Sequence, residues 1–304
     1  MCCLFGILDY KQNLTRKQQN KILSVLSAAC EERGRDATGI AYNHADRLCV
    51  YKRPLPAHFM RFRLPEAVTA VMGHTRMTTQ GSERKNYNNH PFYGSADNAR
   101  FALAHNGVLY NDCDLQKTEK LPVTKIETDS YVAVQLIEKR GTLDFDSMRY
   151  MAEQLMGSFT ITVLDGQNNL YFVKGDNPMC IYHYEQAGIY LYASTEEILQ
   201  AALKRIPYHF GNAAKVELSC GEILRIDRQG KQTKAHFNTE NLLICDYYRR
   251  PFYPYAHTFA DNSEYVSELK SVASGFGYTG DTIDYLLEEG YTTDDIEEIL
   301  YCGW

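Results

Sequence analysis

Apolar residues recur at helical spacing soon after the start of the chain. Ile22, Leu26, Ala29 and Cys30 fall on one face, and Thr15-x-x-Gln18 supplies a capping box ahead of them. A second helix is predicted after Thr128 and Asp129, with Ala133, Leu136 and Ile137 inward and Gly141 as its stop. Short runs rich in Val, Ile, Tyr and Phe predict strands at 68–73, 101–105, 159–164, 170–174, 189–193 and 222–226. Turn signals at Asp165-Gly166 and at Asp227-Arg-Gln-Gly230 separate several of these, which favours hairpins and antiparallel pairing. Strands and helices are grouped rather than strictly alternating, so the pattern predicts an α+β fold and not a doubly wound parallel sheet.

The pattern changes after about residue 240. Residues 247–255, Tyr-Tyr-Arg-Arg-Pro-Phe-Tyr-Pro-Tyr, are aromatic and broken by proline, which predicts an extended segment. From residue 271 onward there is no Lys or Arg, while Asp281, Asp284, Glu288, Glu289, Asp294, Asp295, Glu297 and Glu298 accumulate. Tyr278–Gly290 aligns with Tyr291–Gly303 as an internal repeat. Each copy has a Thr or Asp cap, acids in its first turn, an Ile/Leu stripe and a Gly stop, which predicts a hairpin of two short acidic helices.

Composition narrows the classes. A net charge of −6 without a long Lys/Arg run argues against nucleic acid as a partner. The start lacks a basic secretory n-region, and no stretch approaches the roughly 20 apolar residues of a membrane span. The nine cysteines are scattered, odd in number and free of C-x-x-C spacing, which suits free thiols in a cytoplasmic protein better than disulfides or zinc. His74, His90 and His105 are not spaced as ligands on one helix face, so no metal or other cofactor is expected.

Cys2 carries a specific chemical option. Removal of Met1 would leave a thiol and a free α-amine on one residue, and an amine titrating near ~7.7–8.0 can serve as general base without a histidine. With an ordinary value of about 8.5, the thiol becomes a competent nucleophile after modest lowering. Other segments give this option a context: Cys2-Cys-Leu-Phe-Gly6, Arg33-Gly-Arg-Asp-Ala-Thr-Gly39, Gly73-His-Thr-Arg-Met-Thr-Thr-Gln-Gly81, Asn89-His-Pro91, His105-Asn-Gly107, Glu127-Thr-Asp-Ser130, Ala193-Ser-Thr and Gly221-Glu-Ile-Leu. In this order, from residue 2 to about 226, they resemble the class II glutamine amidotransferases, which are N-terminal-nucleophile hydrolases. The likeness is to the glutaminase domains of glucosamine-6-phosphate synthase and amidophosphoribosyltransferase.

The resemblance implies a four-layer α/β/β/α sandwich of two antiparallel sheets over residues 1–235, followed by a connecting segment at 236–270 and the acidic helical hairpin at 271–304. It implies L-glutamine as substrate and Cys2 as nucleophile. Arg76 would grip the α-carboxylate, for which a guanidinium offers a bidentate fork. Asp129 would hold the α-ammonium, and the Asn106 amide with the Gly107 backbone N–H would form the oxyanion hole. Arg33 and Gly34 would shape the nucleophile's surroundings, Thr79 would line the pocket, and His90, with His74 and His105, would play a supporting structural part.

Three positions depart from the family pattern. Cys3 stands where Gly is usual and adds a side chain beside the nucleophile. Met77 replaces the synthase's Trp and Gln80 its His, both in the loop that senses glutamine. Residues 236–304 are too few for a sugar-isomerase or phosphoribosyltransferase domain, so the ammonia acceptor is expected on a partner synthase, and the oligomeric state is left open. Two alternatives fit the same residues. One is an N-terminal-nucleophile amidohydrolase of another amide; the other is a catalytically decayed scaffold that binds partners through its C-terminal hairpin.

Overall fold

The computed structural model describes residues 2–242, 266–267, 269–270, 273, 278–288 and 296. The chain divides into two compact units, Met1–Cys245 and Asp246–Trp304.

The first unit is built on two antiparallel sheets. Its strands are β1 (Cys3–Asp9), β2 (Ala37–His44), β3 (Arg47–Arg53), β4 (Ala70–Arg76), β5 (Phe92–Ser95), β6 (Arg100–Leu109), β7 (Gly157–Asp165), β8 (Leu170–Lys174), β9 (Cys180–Tyr184), β10 (Ile189–Ala193), β11 (Ala214–Lys215), β12 (Glu222–Ile226) and β13 (Gln232–His236). One sheet runs β11-β9-β10-β1-β4-β2-β3, and the other β13-β12-β8-β7-β6-β5. All six strands predicted from the pattern are present as β4, β6, β7, β8, β10 and β12. The predicted turns join β7 to β8 and β12 to β13.

β1 lies at the centre of its sheet, between β10 and β4, and all seven of its residues are buried. A strand covered on both faces shows a continuous apolar run and not an alternation. The β2–β3 hairpin turns through Ala45 and Asp46 at φ 48° and 57°, a pair of left-handed residues that lacks the usual Asn-Gly signal.

The two sheets face each other across Leu4, Leu8, Met72, Ala102, Leu164 and Phe172, among others. Outside the first sheet lie α1 (Arg16–Cys30) and α5 (Glu196–Leu203), which cover Phe5, Ile7 and Ile40. Outside the second lie α3 (Tyr131–Arg140) and α4 (Phe145–Gln154), over Leu103, Phe159 and Ile161, after the short α2 (Asp112–Thr118). The layers are therefore α/β/β/α. The predicted capping box of α1 is complete: Gln18 N donates to Thr15 Oγ1 at 3.3 Å, and Thr15 N donates to Gln18 Oε1 at 2.9 Å. Gly141 ends α3 at φ 77°.

Past β13 the chain stays on the second sheet. Phe237 and Leu242 join its core, and Asn238 N and Asn241 Nδ2 donate to Glu153 at 2.9 and 2.6 Å. In the second unit, the first copy of the repeat forms the helix Gly280–Glu288, with Ile283 and Leu286 buried. The second copy lies outside the described residues except for Ile296. The aromatic segment 247–255 lies outside them entirely.

Candidate active site

Strand ends and one helix start place the predicted residues. Cys2 immediately precedes β1, and β1 pairs with β4 in the register Cys3 to Thr75. Cys2 therefore lies beside the end of β4, where Arg76 and Met77 follow Thr75. The Met77 N–H donates to Cys2 Sγ at 3.4 Å, and Arg33 Nε donates to the Cys2 carbonyl at 3.1 Å. Gly34 allows this close assembly, since a Cβ there would stand 2.5 Å from the Arg76 carbonyl carbon and 2.8 Å from Met77 N.

The Cys2 residue is partly accessible, yet its sulfur is deep enough that burial pushes the thiol pKa up. The Met77 hydrogen bond and the Arg76 charge pull it down, and Asp129 pushes it further up. The lowering expected from sequence is thus outweighed by desolvation in the chain that retains Met1.

Arg76 is 3% exposed. Nη1 donates to Asn89 Oδ1 at 2.7 Å, and Nη2 donates to the carbonyls of Gln80 and Gly81 at 2.6 and 3.0 Å. A guanidinium has five N–H groups, so this cradle fixes the plane of the fork without using all its donors. Thr79 itself is exposed; its neighbour Thr78 is the residue tied down, with its N–H on Asp36 Oδ2 at 2.6 Å. Met77 is also exposed, and Gln80 Nε2 reaches Asp112 Oδ2 at 3.4 Å. Cys3 does not crowd the nucleophile. The alternation of β1 turns its side chain into the core under α1, beside Cys30.

The second sheet supplies Asn106 and Gly107 near the end of β6. Gly107 has φ 146°, and a Cβ there would stand 1.8 Å from the Ser158 carbonyl oxygen, so only glycine fits. Asp129, 4% exposed, precedes α3 without capping it in the ordinary way. Its Oδ2 accepts from Leu109 N at 2.7 Å, and its Oδ1 accepts from Ser130 N at 2.8 Å.

Ser194, just past β10, joins the two halves. Its Oγ accepts from Leu4 N at 2.8 Å and from Asn106 Nδ2 at 3.4 Å, tying the strand behind Cys2 to the side chain of Asn106. The Ala193-Ser-Thr motif contains this residue, but a lone serine after a strand gave no sign of what it would touch.

His74 and His105 meet across the sheets, with His74 Nε2 donating to the His105 carbonyl at 3.0 Å. The His90 ring lies 4.3 Å from that of His74 and 4.3 Å from Phe92. Burial holds all three imidazoles below their ordinary pKa, His74 at about 3, so they are neutral near pH 7. Neutral rings packed in this way support the architecture. Among the described residues, no group of three or more His, Cys, Asp or Glu is arranged to hold a metal ion. Among the same residues, no helix is long and apolar enough to cross a membrane.

Two antiparallel sheets lie between helical layers, with the Cys2 thiol ahead of the central strand of the first. Residues 74–201 match the glutamine amidotransferase domain family. The glutamine–fructose-6-phosphate aminotransferase of Sulfolobus acidocaldarius is 30% identical over 190 residues, covering 60% of this chain and 31% of the relative. That of Bacillus licheniformis is 33% identical over 184 residues, covering 58% and 30%. The chain thus spans about a third of the length of these curated relatives. The glutamine phosphoribosylpyrophosphate amidotransferase of B. subtilis, solved with ADP and GMP, shares the fold at a TM-score of 0.60 and 20% identity, over 79% of this chain and 50% of that one.

Proposed function

We propose that the first unit hydrolyses the side-chain amide of L-glutamine through Cys2 and supplies the ammonia to an acceptor enzyme. With Met1 removed, the α-amine of Cys2 takes the thiol proton, and the thiolate attacks the amide carbon. Asn106 Nδ2 and Gly107 N–H receive the oxyanion. The C–N bond breaks with proton return from the α-ammonium, ammonia leaves, and water hydrolyses the γ-glutamyl thioester to glutamate and free thiol. Arg76 binds the α-carboxylate and Asp129 the α-ammonium.

The observation that carries this reading is the Ser194 bridge, because it couples the strand behind the thiol to the oxyanion donor. A decayed scaffold would have no need for that coupling. The relatives are by name an aminotransferase and an amidotransferase, which supports passage of the nitrogen to an acceptor.

Ammonia and glutamate release from glutamine tests the reading, with intact mass reporting Met1 in the same sample. The wild-type protein should release both in equal amounts, and Cys2→Ala should lose about 10³-fold or more. Unchanged release by Cys2→Ala would overturn it. Acceptor coupling predicts that a cognate synthase raises glutamine turnover; failure across candidate synthases with an active glutaminase would leave plain hydrolysis.

A further inference from the structure

Ser130 occupies the N-cap position of α3, where a serine normally accepts a hydrogen bond from the helix's own backbone. Here its side chain makes no such bond. Its Oγ lies 3.1 Å from Asp129 Oδ1 and 2.8 Å from His105 Nδ1, and all three residues are at most 4% exposed. The hydroxyl has been drawn away from the helix and into the site.

One direction of these bonds makes a continuous relay. A carboxylate only accepts, so Ser130 Oγ donates its single proton to Asp129. Ser130 Oγ then accepts from His105 Nδ1–H; the competing tautomer, with Nε2–H toward the Ser158 carbonyl, would instead turn the Ser130 proton to the ring. A carbonyl also only accepts, so His74 donates Nε2–H to the His105 backbone. Position 105 is therefore held twice: its main chain from β4 and its ring from α3.

The consequence lies in the spacing. One oxygen of Asp129 is tied to β6 through Leu109 N, and the other through Ser130 to His105. Residues 105 and 109 flank Asn106 and Gly107. The carboxylate is thus fastened to the same strand on both sides of the oxyanion pair.

We propose that Ser130 and His105 are positioning residues that fix the distance between the amino-acid end and the amide end of the glutamine site. The inference rests on the roles given above to Asn106, Gly107 and Asp129, and deepens them. Neither residue is given a contact with substrate; they act through Asp129, which they hold against the strand carrying Asn106. Such a device selects glutamine over shorter or amine-free amides, because the α-ammonium is rewarded only at one reach from the carbonyl.

Two measurements test it. In the first, glutamine is compared with 4-carbamoylbutanoate, the same amide without the amino group, in Ser130→Ala and Ser130→Thr. Ser130→Ala should raise KM for glutamine about tenfold with a smaller change in kcat, and leave the amine-free amide unaffected. Ser130→Thr, which keeps the hydroxyl, should restore glutamine. Equal losses on both substrates, or none on either, would overturn the proposal. In the second, ¹⁵N shifts of His105 in the wild-type protein report the tautomer whether or not a variant folds. Nδ1–H is expected, and Nε2–H alone would break the relay. The two readings fail separately. If wild-type protein releases no ammonia, yet Ser130→Ala weakens glutamine binding to Cys2→Ala protein, hydrolysis falls and positioning stands. If wild-type protein releases no ammonia and Cys2→Ala protein binds no glutamine, both fall.

Discussion

The two sheets of the first unit build their halves of the proposed site by different means. The first sheet sets Cys2 and Arg76 by backbone register, with β1 against β4 and the thiol on the Met77 N–H at 3.4 Å. The second holds Asn106 and Gly107 in register with β7, but sets Asp129 beside them through side chains reaching between β6 and α3. Register is fixed by a whole ladder and tolerates the loss of any one side chain. A side-chain relay depends on each member, so a single atom can loosen it. The half with Cys2 and Arg76 should therefore be robust, and the placing of Asp129 against Asn106 tunable.

Substitution of the glycine in each half gives the largest expected contrast. Gly107→Ala forces a Cβ to 1.8 Å from the Ser158 carbonyl within the β6–β7 ladder. Backbone must move on both strands, so a loss of about 3 kcal/mol or more in urea unfolding is expected, together with loss of ammonia release. Gly34→Ala presses on the Arg76–Met77 peptide from a loop that can yield. Its stability loss should be visibly smaller while Cys2 alkylation slows. Equal stability losses would erase the distinction between a glycine inside a ladder and one beside it.

Acid tests the seam between the sheets. The ordinary value for His74 is 6.5, and burial lowers it to about 3 in the folded chain. The unfolded chain takes up the proton first, so this contribution to stability is complete above pH 6.5 and is lost as pH falls from there toward 3. At pH 5 His74 alone withdraws about 2 kcal/mol, and His90 and His105 shift in the same direction. Asp9 and Asp165 are pushed up by burial and work the other way, at the acid end of the range. Urea midpoints at pH 7 and pH 5 should differ accordingly; a flat profile would show that the imidazoles are not neutral at the seam.

How much of this was legible beforehand depended on where the signal was local. The α1 capping box, the Gly141 stop and the strand runs rich in Val, Ile, Tyr and Phe are read within a few residues. β1 escapes such a reading because Gly6 interrupts a run with a single β-branched residue, and the β2–β3 turn hides behind Ala45-Asp46. Cys2, Arg76, Asn106, Gly107 and Asp129 stand in motifs that the sequence shows, although no motif states that they come from two different sheets. Ser194 and Ser130 act through partners 190 and 25 residues away in sequence, Leu4 and His105, and spacing along the chain is silent on such contacts.

Arg76→Lys probes the recognition chemistry of the first sheet. Lysine keeps a charge but loses the planar fork held by Asn89, Gln80 and Gly81. KM for glutamine should rise about tenfold, with the rate of Cys2 alkylation by a small reagent that lacks an amino-acid end nearly unchanged. If alkylation falls in parallel, Arg76 supports the thiol and the carboxylate assignment weakens.

The smallest effect separates a helix cap from a site residue. Thr15 spends its side chain on α1 alone, accepting from Gln18 N, whereas Ser130 at the start of α3 spends none on its helix. Thr15→Ala should cost about 1 kcal/mol in unfolding free energy. Glutamine KM and kcat should not move, because α1 backs the first sheet from the side away from the second and the register of β1 against β4 does not pass through Thr15. A change in KM as large as that from Ser130→Ala would mean that the first sheet transmits helix strain to the site after all. Backbone register would then be no more robust than the relay on the second sheet.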